Sequence, residues 1–464
     1  MGKKRQYRNT LYFFPALLPL ADLVPWVLTL IGAVTGVAGL SIPLLWQKFR
    51  YPIMGLAALC LLGGGGAYIY YLPPKDVRMD GTRLVNAADF YIPKALGQAV
   101  AYDPPARAQF GELWSKPVSK QILATPIISG KFLVYGSYEG TVEGLSLQNG
   151  SPVWSLAQAA PVFAMGVGLD GTVFACEGLH ETASAALTAI SPESGHIIWR
   201  REFLGHLEEP PAIDERRYHL WQAAGPGGLW SVDIRNGSLL WHQAVGHMDA
   251  VPLMMNGIVY GPAQPDEKKH ETMFYAVDGS SGKILWRLPM PGMPWGGPVA
   301  DKTRKVILTT TGEGQIGVNK ATDRGWAQGV SPEGKLLWQA ELSGMPLQPG
   351  VYVPEKDIVI YTIKTGDMVA LHVKDGSVAW KINAGKEFQA PPTLITAGGK
   401  PMVAATSYDG TFTIRDAGTG EELVRRLAGK SSTSSPVVQG DIVYVTGAHE
   451  IVAFGGLHAL AETN

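Results

Sequence analysis

The chain has 464 residues, with 39 Lys and Arg against 40 Asp and Glu, for a formal net charge of −1. That balance supplies no global field to draw nucleic acid, so no nucleic-acid partner is expected. Only two cysteines occur, Cys60 and Cys176, which excludes a disulfide framework or a cysteine metal site, while 56 Gly and 33 Pro fit a turn-rich β protein.

Residues 1–72 differ from the rest. A basic start, Lys3, Lys4, Arg5 and Arg8, precedes apolar character from Leu11 to Trp46 that is broken by Pro15, Pro19, Asp22 and Pro25. After the charged link Gln47-Lys-Phe-Arg50 comes a second apolar run, Tyr51 to Leu72. Pro25–Trp46 and Tyr51–Leu72 are each 22 residues, enough to cross a bilayer as a helix, and two such runs argue against a cleaved signal peptide. The segment reads as a membrane anchor that contacts the lipid bilayer through transmembrane helices. Both basic clusters favour the cytoplasm. If Leu11–Trp46 enters and returns, as two short helices or a re-entrant dip, Tyr51–Leu72 crosses outward. If Leu11–Val24 lies on the surface, two crossings return the chain to the cytoplasm. Residues 73–109 read as a linker, with Pro73-Pro74, Asp80-Gly81 and Pro104-Pro105.

From residue 110 to 455 one unit recurs. Its clearest copy is Tyr275-Ala-Val-Asp-Gly-Ser-Ser-Gly-Lys-Ile-Leu-Trp286, a strand, a tight turn and a second strand. The Gly-x-x-x-Trp ending appears at Gly150/Trp154, Gly195/Trp199, Gly237/Trp241, Gly282/Trp286, Gly334/Trp338 and Gly376/Trp380, and Gly420 to Val424 is a copy with Val for Trp. Neighbouring copies lie 42 to 52 residues apart, the period of a four-stranded propeller blade. Eight blade starts are marked by Pro126, Pro161, Pro211, Pro252, Pro298, Pro349, Pro391 and Pro436. The missing ending is at the front. Phe110-Gly-Glu-Leu-Trp114, with its glycine one residue closer, is expected to be the outer strand of the last blade, beside Ile451–Phe454, which closes the ring and removes an open sheet edge. The fold expected is all-β, an eight-bladed β-propeller behind a transmembrane segment, with 456–464 as a C-terminal tail.

The pattern Pro-x-x-x-Gly-x-Val-Tyr-Val followed by Tyr-Ala-x-Asp-x-x-x-Gly-x-x-x-Trp resembles the repeats of quinoprotein (PQQ-type) eight-bladed propellers. The resemblance implies that Trp114, Trp154, Trp199, Trp241, Trp286, Trp338 and Trp380 dock between neighbouring blades. It also implies a periplasmic propeller, hence a bacterial inner-membrane protein.

Loops that join an outer strand to the next inner strand, and second strands to third, share one face, and binding normally resides in such loops. They include Gly205–Pro210, Gly246–Asp249, Pro289–Trp295, Gly344–Pro346, Lys386–Gln389, Lys430–Ser435 and the insertions Pro262–Glu271 and Gly312–Gly325. The candidate interaction face comprises His206, Glu208, His247, Asp249, Lys268, Lys269, Met293, Trp295, Glu387 and Phe388. Three readings compete for it. A protein-binding scaffold in a membrane or envelope complex, with no catalytic, cofactor-binding or metal residues, is supported by a charged rim around Trp295, Phe388 and several methionines. It resembles the propeller lipoprotein scaffold of the outer-membrane barrel-assembly machinery, although a lipid on a cysteine tethers that protein. The alternative is a PQQ-dependent membrane dehydrogenase passing electrons to quinone, which needs calcium ligands, a base and cations on the quinone. Glu208, Asp249 and Glu387 are its candidate acids, and the paired cysteines of many alcohol-oxidising members are absent. The third reading is a copper site of His206, His247, Met248, Met290, Met293 and Met345. No fixed ligand spacing supports it, and methionine also fills gaps between blades.

Overall fold

The structure, a computed structural model, describes residues 109–180, 185–266, 269, 271–301, 306–314 and 323–462. The expected anchor and all but the last residue of the expected linker lie outside them. Among the described residues no helix is long and apolar enough to cross a membrane.

Among the described residues, thirty-two strands form eight four-stranded antiparallel sheets. Blades 1 to 7 are each continuous in sequence, at 127–157, 162–203, 212–243, 253–290, 293–342, 351–383 and 393–427. Blade 8 takes three strands from 437–455 and its outer strand, Gly111–Pro117, from the front of the chain. There Trp114 pairs with Ala453 and Lys116 with Ile451, so the ring closes as the repeat count requires.

Within each blade the second and third strands are buried at nearly every position, because neighbouring sheets cover both their faces. Phe132–Gly136, Val173–Glu177 and Ile358–Thr362 are buried throughout. The core therefore lies between blades. One cluster joins Tyr444, Ile451 and Ala453 of blade 8 to Leu133 and Tyr135 of blade 1 and Met165 of blade 2.

The outer strands carry the inter-blade fastening. In blades 1 to 7 the register slips one residue before the Trp or Val position, as at Gly144/Leu145 opposite Trp154 and Pro152, and this bulge re-aims the side chain toward the next blade. Each indole then lies on the turn glycine of the following repeat. Trp241 covers Gly282, whose φ is 73°, and a Cβ there would stand 2.7 Å from the ring. Its Nε1 donates to the Gly279 carbonyl at 3.0 Å. Equivalent bonds run from Trp114 to Leu147, Trp154 to Pro192, Trp199 to Ile234, Trp286 to Pro332, Trp338 to Val373 and Trp380 to Ala417, at 2.7 to 3.2 Å. The slip in Gly111–Pro117 falls between Glu112 and Trp114, where the glycine stands one residue closer.

Val424 breaks the pattern for a reason the topology supplies. The turn it would meet, between the third and outer strands of blade 8, is where the chain is interrupted. A stack of Phe412, Phe454 and Phe110, with centroids 5.7 Å apart in each step, fills that interface. The helix Leu457–Glu462, in what reads from sequence as a tail, adds buried Leu457 and Ala461 to the same cluster as Val424.

Two other features differ from their sequence reading. Pro298 lies inside the strand Met293–Asp301, not before it, in a stretch where two register slips make room for a residue without an N–H. The insertions lengthen the second and third strands of blades 4 and 5 into taller hairpins, Ile258–Asp266 with Glu271–Asp278 and Val306–Glu313 with Arg324–Val330.

Candidate functional site: a histidine cluster at the rim of the central cavity

The loop face surrounds a cavity of about 550 Å³ to which all eight blades contribute. Leu123, Phe163, Val251, Trp295 and Leu347 supply much of its apolar wall, and Tyr408 stands at its edge with 43% of its surface exposed. On one side the wall turns acidic, at Glu208, Glu209 and Asp249.

That side is built from two equivalent loops one blade apart, Gly205-His-Leu-Glu208 and Gly246-His-Met-Asp249. Gly205 and Gly246 adopt φ of 107° and 94°, and a Cβ on either would lie 2.0 Å from the carbonyl oxygen of Ala224 or Gln264, so only glycine fits. The residue that follows is thereby held in place. His247 is paired through its backbone with Gln264 in both directions, at 2.9 and 2.8 Å, and Met248 with Gly225 at 2.9 and 3.2 Å. Gly225 lies against the His206 ring, where a Cβ would approach to 2.3 Å.

These loops bring three imidazoles around one carboxylate. His206 Nε2 lies 2.8 Å from Asp249 Oδ1, and His247 Nε2 lies 2.7 Å from Oδ2. His180, in the loop after the second strand of blade 2, stacks on His206 with centroids 3.8 Å apart, and its Nε2 is 3.8 Å from Asp249 Oδ2. Its Nδ1 hydrogen-bonds Glu208 Oε1 at 2.6 Å. His206 is buried, His247 and Asp249 are mostly buried, and half of the His180 side chain is exposed.

The electrostatics follow from this packing. Burial alone would raise the Asp249 carboxyl, but hydrogen bonds from His206 and His247 carry it well below the usual carboxylate range. The bond to Glu208 raises His180 against the opposing effect of burial. Burial, with the Asp249 and Glu208 charges nearby, pushes Glu209 well above the ordinary carboxyl value. Cys176 is buried in blade 2 and its thiol is raised by burial, which leaves it inert.

Of the residues singled out from sequence, His206, Glu208, His247 and Asp249 meet here. Met293 and Trp295 lie half-buried on the first strand of blade 5, Trp295 in the cavity wall, and Glu387 accepts a bond from Gln389 Nε2 at 2.9 Å. Lys269 is exposed and paired with Asp266 at 3.5 Å, while Lys268 lies outside the described residues. Phe388, expected on the interaction face, is not exposed there. It is buried between blades 6 and 7 with Val403 and Ala405, because the polar residues before it follow the loop while its own side chain turns inward. Met248, Met290 and Met345 are also buried, Met248 against Gly261 and Met345 against Gly312, so these thioethers do not line the cavity. Hydroxyls of the Lys430–Ser435 loop are engaged in ring closure, Thr433 with Leu123 and Ser434 with Ala124, each at 3.2 Å. His180 is the residue that sequence reasoning missed. Its signal was its place, after Gly178, in a loop class expected on this face.

The family model described as "Outer membrane protein assembly factor BamB" matches residues 139–260 and 323–455, more than half of the chain. The protein belongs to that family. Among its relatives, the assembly factor BamB of Moranella endobia (strain PCIT) is 22% identical over 206 residues, 42% of this chain and 50% of that one. A tetrathionate hydrolase of Acidithiobacillus ferrooxidans is 24% identical over 277 residues, 56% of this chain and 53% of that one. The chain thus spans about half the length of these curated relatives. The crystal structure of BamB from Moraxella catarrhalis superposes with a TM-score of 0.56 at 17% identity, covering 75% of this chain and all of that one, a likeness of fold.

The quinoprotein resemblance raises the question of PQQ, and the residues present do not fit it. PQQ carries several carboxylates and needs cationic partners. Among the described residues lining the cavity there are three acids and no lysine or arginine.

Proposed function

We propose that this protein is a membrane-anchored, non-catalytic scaffold that holds protein partners in a complex of the bacterial envelope. The apolar runs Pro25–Trp46 and Tyr51–Leu72 would fix it in the inner membrane, with the propeller on the periplasmic side. Membership of a family described as assembly factors supports a role in holding proteins together. The observation that carries the reading is the loop-face cavity, with an apolar wall at Trp295, Leu347 and Phe163 and an acidic side at Glu208 and Asp249. Such a surface suits a partner segment that inserts apolar side chains and presents a positive charge beside the acids. Met293, Tyr408, Glu387 and Lys269 form the surroundings of that contact. Propeller folds host many activities, so this surface and not the fold carries the proposed function.

The test is isolation of the full chain from detergent-solubilised membranes, as wild type and as the Trp295→Ala, Tyr408→Ala double variant. A partner recovered in stoichiometric amount with the wild type and lost with the variant, while the variant remains folded by circular dichroism, is the expected result. Equal recovery with both proteins contradicts the assigned face. Consumption of tetrathionate, or alcohol oxidation with added PQQ and calcium, would replace the scaffold by an enzyme.

A further inference from the structure

We propose that His180, His206, His247 and Asp249 bind one divalent transition-metal ion of the zinc class, which ties blades 2, 3 and 4 together at the cavity rim. One ligand atom from each of the four residues can be chosen so that all lie within 4.8 Å of one another. A tetrahedral zinc ion with ligand bonds of about 2.0–2.1 Å sets its ligand atoms roughly 3.3–3.5 Å apart. The cluster therefore closes on an ion through small side-chain rotations, without moving a strand.

The donor set selects the ion. Three imidazole nitrogens and one carboxylate oxygen suit zinc and its first-row neighbours, whereas calcium and magnesium take oxygen ligands. A thioether-bound copper ion is not favoured, because Met248 between His247 and Asp249 turns into the core.

The surroundings have the form of a built site. The imidazole of a metal-bound histidine characteristically gives its second nitrogen to a carboxylate, which fixes the ring. Glu208 holds His180 Nδ1 at 2.6 Å and also accepts the His180 backbone N–H at 3.1 Å. The backbone is equally constrained. His247 is locked to Gln264, and Leu207, beside His206, donates to the Gly178 carbonyl at 3.0 Å in the loop that carries His180. Ligands held by neighbouring backbone in this way need little ordering when an ion arrives. Asp249 belongs both to the ligand set and to the cavity wall, so the ion would sit where the proposed partner surface turns acidic.

The test uses the full chain in detergent, freed of any affinity tag, stripped with a chelator and titrated with zinc alone by calorimetry. Cobalt is added in a second titration as a spectroscopic probe. One zinc per chain is expected, with the intense visible bands of four-coordinate cobalt. His180→Ala and His247→Ala should each weaken zinc binding by about 100-fold or more, and Glu208→Gln by about tenfold, toward the lower end for an outer partner of a ligand. His180 is half exposed, so its variant carries the test even if replacing buried His206 prevents folding. Absence of stoichiometric zinc binding overturns the proposal. So does binding of undiminished affinity in His180→Ala and Asp249→Asn, shown folded by circular dichroism.

Discussion

At the scale of single residues, the glycine and the tryptophan of the repeat belong to one device. The glycine makes the turn on which the preceding blade's indole rests, and the carbonyl of that turn accepts its N–H. Trp241→Ala and Trp286→Ala should each cost about 3–5 kcal/mol in chemical denaturation, the range for emptying a large aromatic site. Trp295→Ala, in the cavity wall, should cost less than half of that. Equal losses at all three positions would contradict the distinction. The same scale shows what sequence could reveal of the candidate site. Gly205-His-Leu-Glu208 and Gly246-His-Met-Asp249 occupy one position in consecutive blades, so the approach of His206 to His247 is legible once the blade register is known. His180 enters from another loop class, and only the spacing of neighbouring blades brings it onto His206. Phe388 was not legible, because its polar neighbours describe a loop whereas the apolar space it fills belongs to the next blade.

At the scale of elements, the hairpin turn and the closing strand each make a measurable contribution. In the turn after Phe274–Val277, bonds from the Ser280 and Ser281 hydroxyls and from the Ser281 N–H hold the Asp278 carboxyl at about 2, below its ordinary 3.8. A carboxyl depressed on folding contributes stability above its unfolded value and loses it as pH falls through the folded value. The stability difference between wild type and Asp278→Ala, measured in urea, should therefore be constant above about pH 5. It should shrink from about pH 4 and level off below about pH 2. A difference that grows on acidification would contradict the assignment. The closing strand is tested by truncation. Removal of residues 1–73 should leave a soluble, monomeric propeller, whereas removal of 1–114 exposes the edge of Glu450–Gly455 and should give aggregates. Identical behaviour of the two proteins would mean that Gly111–Pro117 does not close the ring. Blade number and closure were legible because they follow from a count of repeated units. The blade-8 helix was not, since a short apolar stretch at a chain end gains its structure from the Val424 interface that it covers.

At the scale of the whole molecule, the proposed anchor of residues 1–72 would leave the propeller outside the cytoplasm. A reporter active only outside the cytoplasm, fused after Asn464, should be active, and a cysteine placed at Gln47 should be shielded from impermeant thiol reagents. The opposite pair of results would put the propeller in the cytoplasm. The two faces differ in character. The turn face is occupied by repeated short hairpins, while the loop face gathers side chains from all eight blades around one cavity. Engagement of partners by the loop face is the core of the proposed function. Its most direct test is photo-crosslinking in living cells, with the photoreactive amino acid placed in turn at Tyr408, Glu387 and Trp295 on the loop face and at Ser280 and Thr419 on the turn face. Discrete adducts from the loop-face positions and none from the two turns are the predicted result. Adducts from Ser280 and Thr419 alone would contradict it.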